Sequence, residues 1–369
     1  MAELLKDCYN ESSLSALAAR FRAAYPAFPA GAFVRGVLDG NWAELGLKAR
    51  VRRVTLQLGA SLPAGYEESL TVLDRALAAA PAGEGGLALL CFPDFVEVYG
   101  QDPAHWALSM AALARYTPYA TAEFAVRPFL LRDEARMMAQ MAAWARHENE
   151  HVRRLASEGC RPRLPWGQAL PSFQKDPSPV LALLEQLKAD PSAYVRKSVA
   201  NNFNDISKTH PQLVLETAKR WYGVSKETDW IVKHGCRTLL KQGVPEALAL
   251  FGLAGAGLVA VDGFALAPAQ VPIGGALSFS FCITAKKATR VRLEYGVDYV
   301  KANGRRSRKV FQLSELSLKE NERRAYTRAH SFADASTRRH YPGTHAVTLI
   351  VNGAGRGTLE FEVVKEKEP

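Results

Sequence analysis

The sequence predicts a mainly α-helical chain, a solenoid of stacked helix pairs followed by a small all-β sandwich. Three observations predict it. Residues 1–250 are rich in Ala, Leu and Arg at helical spacing, as in LSALAARFRAAY and ESLTVLDRALAAA. Beyond about residue 257 the spacing turns to alternation, in ALSFSFCITA, TRVRLEYGVDYV, HAVTLIVNG and GTLEFEVV. Among the helical segments a single pattern recurs at a near-constant period. The expected division is residues 1–256 for the helical domain and 257–369 for the sandwich.

Composition bounds the rest. A chain of 369 residues is comfortable for two domains, and 48% hydrophobic with 23% charged residues excludes a disordered chain. Cys8, Cys91, Cys160, Cys236 and Cys282 form no C-x-x-C pair, which fits reduced thiols in a cytoplasmic setting better than a disulfide framework. MAELLKDCYNESS has no basic segment leading into an apolar one, so no secretory leader is expected. The most apolar stretch, 247–267, holds four glycines and Asp262, a poor membrane span and a reasonable domain junction. Net charge is +10, and from residue 258 onward 18 Lys/Arg stand against 11 Asp/Glu. Such an excess suggests a polyanionic partner.

The helices come first in the chain. YPAFPAG, AAPAGEGG, RPRLPWG and QKDPSP punctuate them. DPSAYVRKSVANNFNDI carries Val195-Arg196; 43 residues earlier HENEHVRRLASEG carries Val152-Arg153, and 37 later ETDWIVKHGCRTLL carries Val232-Lys233. LKARVRRVTLQLG is a weaker copy at Val51-Arg52. A period near 40 with two helices per unit is the signature of HEAT-type repeats, which stack because no pair can bury its apolar face alone.

HENEH also matches H-E-x-x-H, with His147, Glu148 and His151 at the spacing that would put two imidazoles on one helical face for zinc. In the repeat register it falls at the start of a helix, where acids suit the positive dipole end. No third ligand is evident, so no metal is expected. Other residues exceed what a solenoid needs. Glu158 and Asp205 lie near the ends of their Val-Arg helices with Arg161, Arg163 and Lys208 close by, and Glu123 stands among small and apolar residues. An i,i+4 pair with Arg127 would account for Glu123, and a turn role for Asp205. Trp166 reads equally as a core or a loop-anchoring aromatic.

In the sandwich, HYPGTHAVTLIVNG sets a tyrosine before an alternating strand, as in Ig-like domains, and Cys282 is the one cysteine there. KANGRRSRK (301–309), with Arg305, Arg306 and Arg308, and NERRAYTRAHSFADASTRRHY (321–341) hold much of the local positive charge. These stretches offer a contact to a polyanion; a solvated basic loop or a protein-binding surface is the alternative.

ENEHVRRLASEGCRPRLPW, YVRKSVANNFNDISK and WIVKHGCRTLLKQG resemble the HEAT-like-repeat DNA glycosylases of bacterial alkylation repair, and PYATAEFAVRPFL and the Glu-Gly after RRLAS point to the AlkC branch. The resemblance covers most of residues 1–250, and some AlkC relatives carry an Ig-like domain. The paired tryptophan-and-aspartate pattern of the AlkD branch is not what these motifs show. The resemblance implies excision of cationic N3-alkylated bases, 3-methyladenine above all and 3-methylcytosine beside it, from duplex DNA without base flipping. It implies Glu123, Glu158 and Asp205 as catalytic carboxylates, Asp205 activating water and the glutamates stabilising the sugar cation. Trp166, Arg161 and Arg163 would line the lesion strand. Arg154, Lys197, Lys208, Lys233 and Arg237, taken from the Val-Arg helices, are candidate phosphate contacts. The expected enzyme is a monomer without cofactor, on the bacterial nucleoid rather than at a membrane. The alternative is a non-catalytic scaffold that binds protein or DNA.

Overall fold

The computed structural model describes residues 5–81, 85–253, 255–335 and 338–365. Among them sixteen α-helices precede eight β-strands. The helices are α1 (Glu11–Ala24), α2 (Ala30–Leu38), α3 (Leu47–Ser61), α4 (Tyr66–Ala78), α5 (Cys91–Tyr99), α6 (Trp106–Tyr116), α7 (Arg127–Arg132) and α8 (Glu134–Trp144). They continue as α9 (Glu150–Gly159), α10 (Pro171–Lys175), α11 (Ser178–Leu187), α12 (Ala193–Ser207), α13 (Pro211–Trp221), α14 (Lys226–Gly235), α15 (Arg237–Lys241) and α16 (Pro245–Leu250). None is long and apolar enough to cross a membrane.

By packing, the chain divides into two compact units, residues 1–210 with 221–235 and residues 211–220 with 236–369. The expected boundary at 257 sits by the switch from helix to strand, which comes at Val259. The division in packing falls elsewhere, because α15, α16 and most of α13 group with the strands. The turn between α15 and α16 meets a strand hairpin backbone to backbone. A Cβ on Gly353 would lie 2.6 Å from Gly243 Cα, and both glycines hold positive φ, +76° and +70°. Any side chain at either place would be strained twice over.

In the first unit the Val-Arg helices stack on one another, α9 on α12 and α12 on α14. Their starts are written locally: Asn149 Oδ1 accepts from the His151 amide at 2.8 Å, and Ser192 Oγ from the Val195 amide at 3.4 Å. Val152, Leu155 and Ala156 of α9 and Val195, Val199, Phe203 and Ile206 of α12 are buried at i, i+3/i+4 spacing. Polar contacts tie successive repeats. Arg153 Nε donates to Asp190 Oδ2 at 2.7 Å, and Asn202 Nδ2 donates to the Ser157 carbonyl at 2.8 Å.

The strands are β1 (Val259–Ala267), β2 (Gln270–Pro272), β3 (Ala276–Ala285), β4 (Thr289–Val300), β5 (Arg306–Leu318), β6 (Arg323–Ser331), β7 (Gly343–Val351) and β8 (Ala354–Val364). They form a three-stranded sheet, β1-β3-β6, and a five-stranded sheet, β2-β8-β7-β4-β5. Leu277, Phe279, Phe281 and Ile283 alternate inward from β3 to meet Val291, Leu293, Tyr295 and Val297 of β4 and Val347 and Leu349 of β7. This is the Ig-like sandwich that the alternation predicted. Tyr341 contributes its backbone carbonyl to the corner before β7, facing His345 Nε2 at 3.0 Å.

The sandwich core contains an imidazole. His330 Nδ1 lies 2.9 Å from the Tyr295 hydroxyl and Nε2 lies 2.6 Å from that of Tyr299. Burial first, then the positive charge of Arg338, His340, Arg328 and Lys309, pulls its pKa from 6.5 down to about 4. The folded value lies below the unfolded one. The stability contributed by the neutral ring is therefore whole above pH about 6.5 and is lost as pH falls toward 4. Melting temperatures of the full chain should drop by roughly 5–10 °C more between pH about 7.5 and about 4.5 than those of a His330→Gln variant, which lacks this titration. Parallel pH profiles for the two proteins would remove His330 from the acid response.

Candidate active site

The three acids singled out in the sequence come from three elements of the first unit. Glu158 is next to last in α9, Asp205 lies in the last turn of α12, and Glu123 sits in the turn before α7. Asp205 lies about one turn farther along its Val-Arg helix than Glu158 does along its own, and the two acids flank one guanidinium. Arg161 Nη1 donates to Glu158 Oε1 at 2.6 Å, and its Nε donates to Asp205 Oδ2 at 2.8 Å. Glu158 Oε2 accepts from Ser198 Oγ at 2.5 Å and Asp205 Oδ1 accepts from Lys208 Nζ at 3.0 Å. Arg154 joins the third acid: its Nη1 is 2.6 Å from Glu123 Oε2, and its Nη2 is 3.6 Å from Glu158 Oε1. Thr121 Oγ1 donates to the same Glu123 oxygen at 2.8 Å.

These side chains are nearly dry. The exposed fraction is 7% for Glu158, 9% for Arg161 and 2% for Asp205. Burial opposes the charge on Arg161, but Glu158 and Asp205 outweigh it and hold its pKa above the ordinary value. The result is two carboxylates oriented on one guanidinium in a place of low dielectric, where electrostatic interactions count for more than in water.

Two charged clusters share the wall of a cavity of about 560 Å³. One contains Glu123, Glu158 and Arg161 with Trp166 beside it; the other contains Arg52, Asp94 and Glu97, with Leu87, Leu90, Pro93, Phe124 and Leu164 as apolar lining. Arg52 Nη2 contacts Asp94 Oδ1 at 2.9 Å and Glu97 Oε1 at 2.5 Å. Burial, then the neighbouring Asp94, raises the Glu97 pKa against the opposing pull of Arg52. Asp205 is not among the residues that line this space.

Several candidates sit differently from what their spacing suggested. Glu123 does not pair with Arg127 as a neighbour one turn away. Arg127 is fully buried and its guanidinium serves the backbone, with Nη1 donating to the carbonyls of Gly159 at 2.9 Å and Arg161 at 3.0 Å. Its Nε donates to the Gln168 carbonyl, and burial lowers its pKa to about 10. Arg154, assigned to phosphate, has its charge engaged by Glu123 and Glu158 instead. Arg161, assigned to the lesion strand, is likewise held by the acids. Arg163, Lys197 and Lys208 are exposed, and Trp166 is 62% exposed. Lys233 on α14 and Arg237, the first residue of α15, are half-buried. In the second unit Arg305, Arg306 and Arg308 are exposed; Arg306 pairs with Glu360 at 2.8 Å and Arg308 with Asp298 at 2.7 Å.

The HENEH residues do not share a helical face. Helix α9 begins at Glu150 and is capped by Asn149, so His147 and Glu148 precede it. His147 Nδ1 accepts from the Asn149 amide at 3.0 Å. Among the described residues no group of His, Cys, Asp and Glu is arranged to hold a metal ion.

The sequence reading missed the Arg52 cluster. A usable signal existed. Arg52 is the arginine of the weaker Val-Arg copy and reaches Asp94 in the following helix pair, as Arg153 reaches Asp190. The two copies at Arg52 and Arg153 share this acid about one period on, whereas Arg196 donates to the Asp190 and Pro191 carbonyls instead.

The DNA alkylation repair enzyme family model matches residues 101–239, and that of the C-terminal Ig-like domain of uncharacterised protein YhaZ matches residues 260–365. Uncharacterized protein YhaZ of Bacillus subtilis (strain 168) is 50% identical over 359 residues, 97% of this chain and 99% of YhaZ. The solved structure of Pseudomonas fluorescens alkylpurine DNA glycosylase AlkC, bound to DNA containing an abasic site analog, is 40% identical. It superposes with a TM-score of 0.93 over 98% of this chain and 100% of that one.

Proposed function

The chain belongs to the AlkC-type family of DNA alkylation repair enzymes, and from that premise we propose that it is a DNA glycosylase removing cationic N3-alkylated bases from duplex DNA. The observation that carries this reading is the trio Glu123, Glu158 and Asp205, ion-paired to Arg154, Arg161 and Lys208, with Glu123 and Glu158 on the wall of an open cavity. A purine methylated at N3 carries its own positive charge and leaves without a general acid. What remains is to stabilise the oxocarbenium-like sugar and to direct water to C1′, and carboxylates do both. Glu123 and Glu158 face the sugar. Asp205 activates the water once Lys208, whose side chain is 42% exposed, exchanges its carboxylate for a DNA phosphate. The lesion is reached through the sugar, without extrusion of the base. Release of free 3-methyladenine from methylated duplex DNA tests the proposal. A protein that binds the duplex and releases none at any concentration is a scaffold. Neutral lesions such as uracil and hypoxanthine should be poor substrates, because their leaving groups lack the charge.

The Ig-like module contributes to duplex binding through Arg305, Arg306 and Arg308 in this reading. The support is their exposure and the net positive charge of the second half. Two of the three already hold surface carboxylates, and such exposed pairs are weak enough to be exchanged for phosphate. Replacing all three with Ala should reduce the slope of log K against log salt by about 0.9 for every phosphate that is no longer neutralised. Excision at saturating protein should stay near wild type. An unchanged slope would assign the module to another partner.

A further inference from the structure

We propose that Lys48 is a positioning residue for excision, fixing the exposed indole of Trp166 at the mouth of the cavity; the inference rests on the glycosylase reading above. Lys48 is the second residue of α3, where a cation opposes the helix dipole. Its ammonium is directed to two partners far away in sequence. Nζ donates to the Trp166 carbonyl at 2.9 Å and lies 4.8 Å from the centre of the Phe124 ring. Phe124 is the residue after Glu123. One cation therefore connects the backbone beside an acid of the site to the backbone that carries the indole.

Trp166 has the marks of a side chain held for use. Its φ is +63°, in the left-handed region that a bulky residue seldom adopts. Its side chain is nevertheless turned outward and is 62% exposed, so packing of the indole does not explain the strain. The strain is balanced by the backbone of the loop between α9 and α10. Arg127 holds the carbonyls of Gly159, Arg161 and Gln168, Gln174 Nε2 holds that of Pro162 at 3.0 Å, and the Gly167 amide donates to the Leu164 carbonyl at 3.1 Å. Lys48 takes the Trp166 carbonyl, and it does so from α3, across the cavity whose wall both residues line. The geometry of the indole relative to Glu123 is thus set by Lys48.

The test uses the full chain with Lys48→Met and Lys48→Arg. In the protein without DNA, Lys48→Met should speed hydrogen exchange at the Gly167 amide, and Lys48→Arg should largely restore protection. On methylated duplex, single-turnover release of 3-methyladenine should fall about tenfold in Lys48→Met and recover in Lys48→Arg. The same substitution made in a Trp166→Ala background should cost nothing further, since the effect runs through the indole. The salt slope of duplex binding should not move. A slope lowered by about 0.9 would make Lys48 a direct phosphate contact and overturn the proposal. Losses that multiply in the double variant, or an unchanged excision rate, would overturn it too. A wild-type protein that excises nothing refutes the glycosylase reading instead; unchanged exchange at Gly167 then refutes the role of Lys48 by itself.

Discussion

Glu158→Gln and Asp205→Asn should each slow single-turnover excision by roughly one to three orders of magnitude while duplex affinity stays near wild type. Each change keeps the shape of the side chain and removes one negative charge. Glu158 is on the cavity wall, so its loss acts directly on the charge proposed to meet the sugar. Asp205 lies one guanidinium behind, sharing Arg161 with Glu158. Its loss removes the proposed water-activating group and also lets Arg161 move toward Glu158, dulling that carboxylate as well. The double variant should therefore lose less than the product of the single losses. Melting temperatures supply the control, since either amide still leaves Arg161 with one carboxylate. Variants that excise at the wild-type rate would take these acids out of the mechanism.

Arg161→Met should destabilise the first unit by about 3–5 kcal/mol, the cost of removing one partner from a buried ion pair. The cause is the stranding of Glu158 and Asp205, which lie within a nearly dry pocket and lose their common donor. Arg161→Lys should recover only a fraction, because an ammonium cannot serve two carboxylates with the fixed fork of a guanidinium. Arg306→Ala offers the contrast: its pair with Glu360 is exposed on both sides and should count for about 0–1 kcal/mol. Urea denaturation of the three variants checks the order. Arg161→Met within about 1 kcal/mol of the wild type, by that same measure, would show the acids to be satisfied by water or protonation.

Periodicity made the helices legible, and alternation the strands, because both depend on which face is buried. The Val-Arg register placed Glu158 and Asp205 at helix ends in successive repeats, and the structure joins them through Arg161. Geometry that depends on contacts between distant segments was not legible. Glu158 is a chain neighbour of both Arg154 and Arg161, but their second acids, Glu123 and Asp205, come from other elements and only the fold brings them in. Arg127 stands four residues after Glu123, yet the chain turns between them and Arg127 enters the core to hold carbonyls 32, 34 and 41 residues away. Lys48 and Trp166 are separated by 118 residues, with no local signal for their meeting. The boundary near 257 followed the change in secondary structure, whereas packing follows burial, and α15 and α16 bury their surface within the second unit.

The glycine pair at 243 and 353 has a bearing on genetics. In a selection for survival under methylating agents, substitutions at these positions should be depleted as strongly as those at the acids, although neither glycine is among the residues that line the cavity. They would act through abundance, because a backbone forced apart at the α15–α16 turn leaves a larger share of molecules open to proteolysis at any moment. Lower growth temperature should rescue such alleles and leave those at Glu158 or Asp205 defective. Sorting alleles by temperature would then separate the residues that make the enzyme persist from those that make it work.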